Sequence, residues 1–140
     1  MEHSATITVE SIIYVPIKKV WHLWTEPVHI QQWNNASPDW HTPHASNDLR
    51  PGGSFVFRME AKDGSFGFDF TGVYEVVSPY SQIAYTLADG RKVNILFASQ
   101  GNNTHLVETF DPESINPHHV QKGGWQAILN NFKTYAESIP

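Results

Sequence analysis

The chain has 140 residues and a formal charge of −5, and its charged side chains amount to 16%, below the roughly 25% of an average soluble domain. The excess lies in the 8 Phe, 5 Tyr and 5 Trp, which excludes a disordered chain, since such chains are rich in charge and poor in aromatics. With no Cys there is no disulfide scaffold, thiol nucleophile, thiolate zinc site or iron–sulfur cluster. The 9 Lys and Arg form no run longer than Lys18-Lys19, so no nucleic-acid partner is expected. Met1–Ser4 lacks the apolar core of a secretory leader, and no uninterrupted apolar run reaches the length of a membrane helix. The expectation is one soluble, cytoplasmic domain spanning residues 1–140, without a membrane partner.

Ala5–Val15 is rich in β-branched residues and predicts a strand, which Pro16 ends. Ile17, Val20, Trp21 and Trp24 then recur at helical spacing. Thr25 is the expected N-cap of a second short helix, with Pro27 in its first turn and Val28, Ile30 and Trp33 as its buried side. Residues 34–47, with two prolines and no period, read as a loop or an irregular strand.

Turn signals follow at short intervals: Pro51-Gly52-Gly53, Asp63-Gly64, Ser78-Pro79, Asp89-Gly90 and Gly101-Asn102-Asn103. The runs between them alternate. Phe55, Phe57 and Met59 share one face, as do Phe68, Phe70, Tyr74 and Val76; Ile83, Tyr85 and Leu87, then Val93, Ile95 and Phe97, continue the pattern. Such tight turns demand antiparallel neighbours, and a sheet with one large apolar face must be covered. The predicted cover is a C-terminal helix, capped by Asn116 with Pro117 at its first position and carrying Trp125, Ile128, Leu129, Phe132, Ala136 and Ile139 as its apolar stripe. Gly123-Gly124 within it predicts a close approach or bend, or else a weak helix start. The order predicts an α+β fold: a curved antiparallel sheet, two short N-terminal helices and a long C-terminal helix packed across the sheet.

That order, with the residues at its joints, resembles the START-like (SRPBCC) helix-grip superfamily. Within it the chain is similar to the single-domain bacterial proteins related to the C-terminal domain of the activator of the heat-shock-protein-90 ATPase, often called AHSA-like or polyketide-cyclase-like. The matching pieces are V-P-I-K-K-V-W (Val15–Trp21), D-L-R-P-G-G-S-F (Asp48–Phe55), K-D-G-S-F-G-F-D-F-T-G-V-Y (Lys62–Tyr74), V-E-T-F-D-P-E (Val107–Glu113) and G-G-W-Q-A-I-L-N-N-F-K-T-Y (Gly123–Tyr135). The resemblance implies a cavity between sheet and C-terminal helix. It also brings two activities into view: a cyclase or dehydratase acting on a polyketide-like substrate, and a co-chaperone stimulating a heat-shock ATPase. No catalytic signature accompanies it, and no cofactor is expected.

The residues facing such a cavity are expected to be Phe57, Met59, Phe68, Phe70, Tyr74, Tyr85, Ile95, Phe97, Trp125, Leu129 and Phe132; the alternative for each is an ordinary packed core. On this assignment Phe132→Asp should abolish binding without unfolding the chain. Trp40 and His41 suit the rim. Glu108 shares the apolar parity of Leu106 and Phe110, where a carboxylate is costly unless paired or protonated. It is therefore the candidate polar anchor, or the acid/base of an enzyme; a bulge turning it to solvent, or pairing with a neighbouring side chain, is the alternative. His41, His44, His118 and His119 match no metal-ligand spacing, so no metal is expected. Arg58 is expected to pair with Asp69 or Glu75 on the outer face. There is no nucleophile elbow and no second inward carboxylate. The first expectation is a small-molecule binding domain for an apolar or aromatic ligand, monomeric or homodimeric.

Overall fold

The computed structural model describes residues 5–140; Met1–Ser4, read above for a leader, lie outside the described residues. The elements run β1 (Ile7–Ile13), α1 (Ile17–Thr25), α2 (Pro27–Trp33), β2 (Trp40–Asn47), β3 (Ser54–Ala61), β4 (Gly67–Ser78), β5 (Gln82–Leu87), β6 (Lys92–Gln100), β7 (Asn103–Phe110) and α3 (His118–Ser138). Every strand pairing is antiparallel, and the sheet order is β1-β7-β6-β5-β4-β3-β2. This is the expected α+β helix-grip arrangement. The hairpins from β3 to β7 follow chain order because their turns are tight; Gly64 and Gly90 adopt φ of +79° and +94°, open to glycine at no steric cost. β1 then adds to β7, with Val9 opposite Glu108. No helix of the described residues is long and apolar enough to cross a membrane.

The concave face carries the core. Ile83, Tyr85 and Leu87 of β5, Val93, Ile95 and Phe97 of β6, and Leu106, Glu108 and Phe110 of β7 are all buried, as their alternation requires. Above them α1 buries Val20, Trp21, Leu23 and Trp24, while α3 buries Leu129, Phe132 and Ala136. Three aromatic rings lock the helices to one another: Trp24 lies 4.7 Å from Trp33 and 4.8 Å from Phe132, and Trp33 lies 5.0 Å from Phe132. The Trp33 indole N–H donates to the Leu23 carbonyl at 2.9 Å, so the ring's polar edge is satisfied inside the core. α3 is also fixed along β1, where the Lys133 ammonium donates to the Ile12 carbonyl at 2.6 Å and to Glu137 at 2.7 Å.

Local expectations change at several points. Thr25 is not a cap but the last residue of α1, its hydroxyl donating to the Trp21 carbonyl at 2.7 Å; Glu26 takes the cap position because Pro27 starts α2. Val28 is 63% exposed, since a helix of two turns buries only Ile30 and Trp33. Residues 40–47 form the irregular strand, with a register shift between His41 and His44. A second shift between Tyr74 and Val76 turns Val76 outward and brings Val77 against the core. Pro117, not Asn116, is the N-cap of α3; the Asn116 amide instead donates to Glu113 at 2.8 Å. Ile139 is the C-cap of that helix rather than part of its stripe.

Gly123 and Gly124 lie inside a continuous helix, and a Cβ at either would meet nothing within 4 Å, so the expected close approach is absent. Because the site is roomy and helical, Gly123→Ala should raise stability by about 0.4–1 kcal/mol through the unfolded chain's lost freedom. Urea denaturation checks this; a loss of stability would show that the helix needs glycine there.

Candidate functional site

α3 packs along β1 and against α1 and α2, but makes no comparable contact with β3, β4 or β5. The gap between its first half and those strands is spanned only by side chains. Trp125 stacks on Phe110 at 3.9 Å and meets the edge of Phe70 at 6.1 Å. Beneath it lies a cavity of about 180 Å³. β3 contributes Phe55, Phe57 and Met59 to the wall, β4 contributes Phe68, Phe70 and Tyr74, β5 contributes Ile83 and Tyr85, and β7 contributes Glu108. The helical side supplies Trp24, Thr25, Ile30, Trp33 and Asn34, with Trp125 and Ile128 from α3.

The structure thus brings Phe57, Met59, Phe68, Phe70, Tyr74, Tyr85, Glu108 and Trp125 together around one space. Four other expected wall residues belong to the packed core instead. Phe97 is taken up by Trp21 at 5.0 Å and Trp24 at 6.1 Å, and Phe132 by Trp24 and Trp33. Ile95 and Leu129 are fully enclosed by their neighbours and do not line the cavity. Trp40 does not line it either: it packs against Phe66 and Phe68 at 6.0 and 6.2 Å. His41 points to Glu60 at 3.7 Å, and His44, His118 and His119 are exposed; among the described residues no three metal-ligating groups converge. Arg58 pairs with Glu60 at 2.9 Å and Asp69 at 3.5 Å, while Glu75 takes Lys92 at 3.3 Å.

Several wall residues were missed by sequence reasoning. Phe55 and Ile83 share the parity of Phe57 and Tyr85, and Ile128 is one helical turn from Trp125, so alternation and periodicity contained the signal. Thr25 and Asn34 carried none, because their place depends on where the α1–α2 pair sits over the sheet.

The polar groups of the cavity divide sharply. The Thr25 hydroxyl is engaged with the Trp21 carbonyl, and Asn34 with Thr42, whose hydroxyl donates to the Asn34 carbonyl at 2.6 Å. The Asn47 amide donates to the Thr25 carbonyl at 2.8 Å and reaches the Tyr74 hydroxyl at 3.5 Å. The Glu108 carboxyl and Tyr85 hydroxyl, by contrast, have no hydrogen-bond partner among the described residues. No unpaired side-chain polar atom of the described residues is sealed from open space, so these oxygens face the cavity.

Glu108 is 7% exposed, and burial pushes its carboxyl from an ordinary 4.5 up to about 8. Burial likewise raises Tyr74 to about 12, and burial lifts Tyr85 well above its ordinary value, with Glu108 and Tyr74 adding to the effect. At neutral pH the three groups are predominantly neutral. Glu108 is then a carboxylic acid, able to donate one hydrogen bond and accept others.

Comparison with known proteins agrees with this architecture. A solution structure of an AHSA1-like protein from Aeromonas hydrophila is 44% identical, covers 96% of this chain and 93% of its own, and superposes with a TM-score of 0.90. A solution structure from Cytophaga hutchinsonii is 55% identical over 94% of this chain and 92% of its own, with a TM-score of 0.83. A crystal structure from Nitrosomonas europaea shares the fold at 17% identity, with a TM-score of 0.82 over 98% and 97% of the two chains. Among functionally curated proteins no match was found. The model of the family described as activator of Hsp90 ATPase homolog 1-like protein matches residues 14–137, and the chain belongs to that family.

Proposed function

We propose that the protein binds a small apolar or aromatic molecule in this cavity, with Glu108 and Tyr85 as its polar anchors. The observation that carries the reading is the Glu108 carboxyl, 7% exposed as a residue, without a protein partner, its oxygens open to the space inside an aromatic wall. Enclosed polar groups are nearly always satisfied, and one without a protein partner in a roomy site takes its partner from water or from a ligand. The wall is otherwise apolar, as in small-molecule sites that bind by burial and orient the ligand through a few polar groups. The volume supports the scale: a cavity of roughly 150 Å³ suffices for benzene, so about 180 Å³ holds one ring with a short substituent.

Ethylbenzene, a neutral molecule of one ring with a short substituent, should bind the protein in titration calorimetry. Ile128→Trp, which fills the cavity from α3 without adding charge, should weaken that binding at least about tenfold, each 1.4 kcal/mol of lost contact being a factor of ten. Far-UV circular dichroism of the variant should be unchanged. An unresponsive wild type, or a variant that binds equally well, would refute the reading.

A further inference from the structure

We infer that the ligand selected by this cavity is an aromatic or apolar molecule carrying one cationic nitrogen, which Glu108 meets as a carboxylate. The inference rests on the binding reading above and deepens it. Its first ground is the ionisable inventory of the wall: one carboxyl, two phenols and no Lys, Arg or His among the described lining residues. An anionic ligand would find no positive partner there and would face the negative ring faces of the aromatic side chains. A cation finds the reverse. The rings of Tyr85, Phe70 and Trp125 surround the site, and aromatic faces attract ammonium groups more strongly once both are withdrawn from water.

The second ground is the choice of side chain. A neutral ligand needs only a donor or acceptor, which an amide at this position would provide equally well. A buried acid with no protein counter-ion is costly on its own, and only a cation draws on its charge through a charge-assisted hydrogen bond.

The surroundings leave Glu108 as the group that responds to pH. The titratable side chains facing it are Tyr85 from β5 and Tyr74 from β4, both neutral through the relevant range. α1 and α2 present Trp24, Ile30 and Trp33, α3 presents Trp125 and Ile128, and β1 places Val9 opposite it. The nearby hydrogen-bonded pair of His105 and Glu10, at 2.8 Å, lies on the other face of the sheet, and Arg91, which acts on Tyr85, is engaged with Asp89. Binding a cation to the carboxylate must therefore release the proton that Glu108 holds.

Three probes built on one phenylethyl frame separate the cases by titration calorimetry: 2-phenylethylammonium, 2-phenylethanol and 3-phenylpropionate. The ammonium ion should bind about tenfold or more tightly than the alcohol, and the carboxylate should bind more weakly than either. Ammonium affinity should rise between pH 6 and 8, approaching tenfold per pH unit, with close to one proton released per ligand at the lower end. Glu108→Gln should bring the ammonium ion and the alcohol level. If the alcohol or carboxylate matches the ammonium ion, or ammonium binding is indifferent to pH, the inference falls while the binding reading stands. If none of the three binds, both fall.

Discussion

Phe132→Ala is expected to lower unfolding stability by about 3–5 kcal/mol, the cost typical of deleting a fully enclosed aromatic ring. The ring is entirely inaccessible and is held edge-on by Trp24 and Trp33, so its removal opens a void where α1, α2 and α3 meet. Neither tryptophan can follow: the Trp33 indole is tied to the Leu23 carbonyl, and Trp24 also contacts Phe97. Against a total of roughly 5–15 kcal/mol for a natural domain, this leaves a marginal fold. Phe132→Asp adds an unpaired buried charge and should leave no cooperative transition at all. Urea unfolding followed by tryptophan fluorescence measures both variants. A loss below about 1 kcal/mol for the alanine variant would show that α3 is not clasped by this triad. The expectation reverses the one drawn from sequence, where Phe132 belonged to the cavity wall and its aspartate variant stayed folded.

That reversal shows where a sequence stops being informative. Alternation and helical spacing tell which side of an element faces inward, because tight hairpin turns fix the register and period of each strand. They placed Tyr85, Phe70 and Glu108 on one concave face, and that is where they lie. Whether an inward side chain touches a neighbour or empty space is a different matter. It depends on the path of α3 across the sheet, which follows β1 and leaves β3–β5 uncovered. Phe97 and Tyr85 are both inward and aromatic, yet α1 descends on the first and the gap lies over the second. The bulge at Tyr74–Val76 was hidden for a similar reason. Val76 and Val77 are identical side chains, so exchanging their faces leaves the composition of the strand unchanged.

Glu108→Gln is expected to stabilise the protein in a strongly pH-dependent way: near zero at pH 4, several kcal/mol at pH 9. The sign follows from the proton count. The folded-state carboxyl titrates near 8 and its unfolded counterpart near 4.5, so between those values the folded protein holds a proton that the unfolded chain has released. Stability of the unliganded wild type therefore falls as pH rises through this window. At about 1.4 kcal/mol per pH unit, the loss amounts to about 3 kcal/mol at pH 7 and approaches about 5 kcal/mol above pH 8. Glutamine keeps the shape and a hydrogen-bonding end but has no proton to lose, so its profile through the same window should be flat apart from groups common to both proteins. Denaturant unfolding at pH 4, 7 and 9 gives the difference directly, and parallel profiles for the two proteins would show that Glu108 is not held in an apolar, unpaired site. A cation that binds beside the carboxylate should oppose the wild-type loss by mass action, and should do so most where Glu108 is ionised. The substitution that strengthens the empty fold is thus the one that removes the only charge-bearing anchor among the described lining residues, which places the stability of the fold and the selectivity of the site in direct opposition.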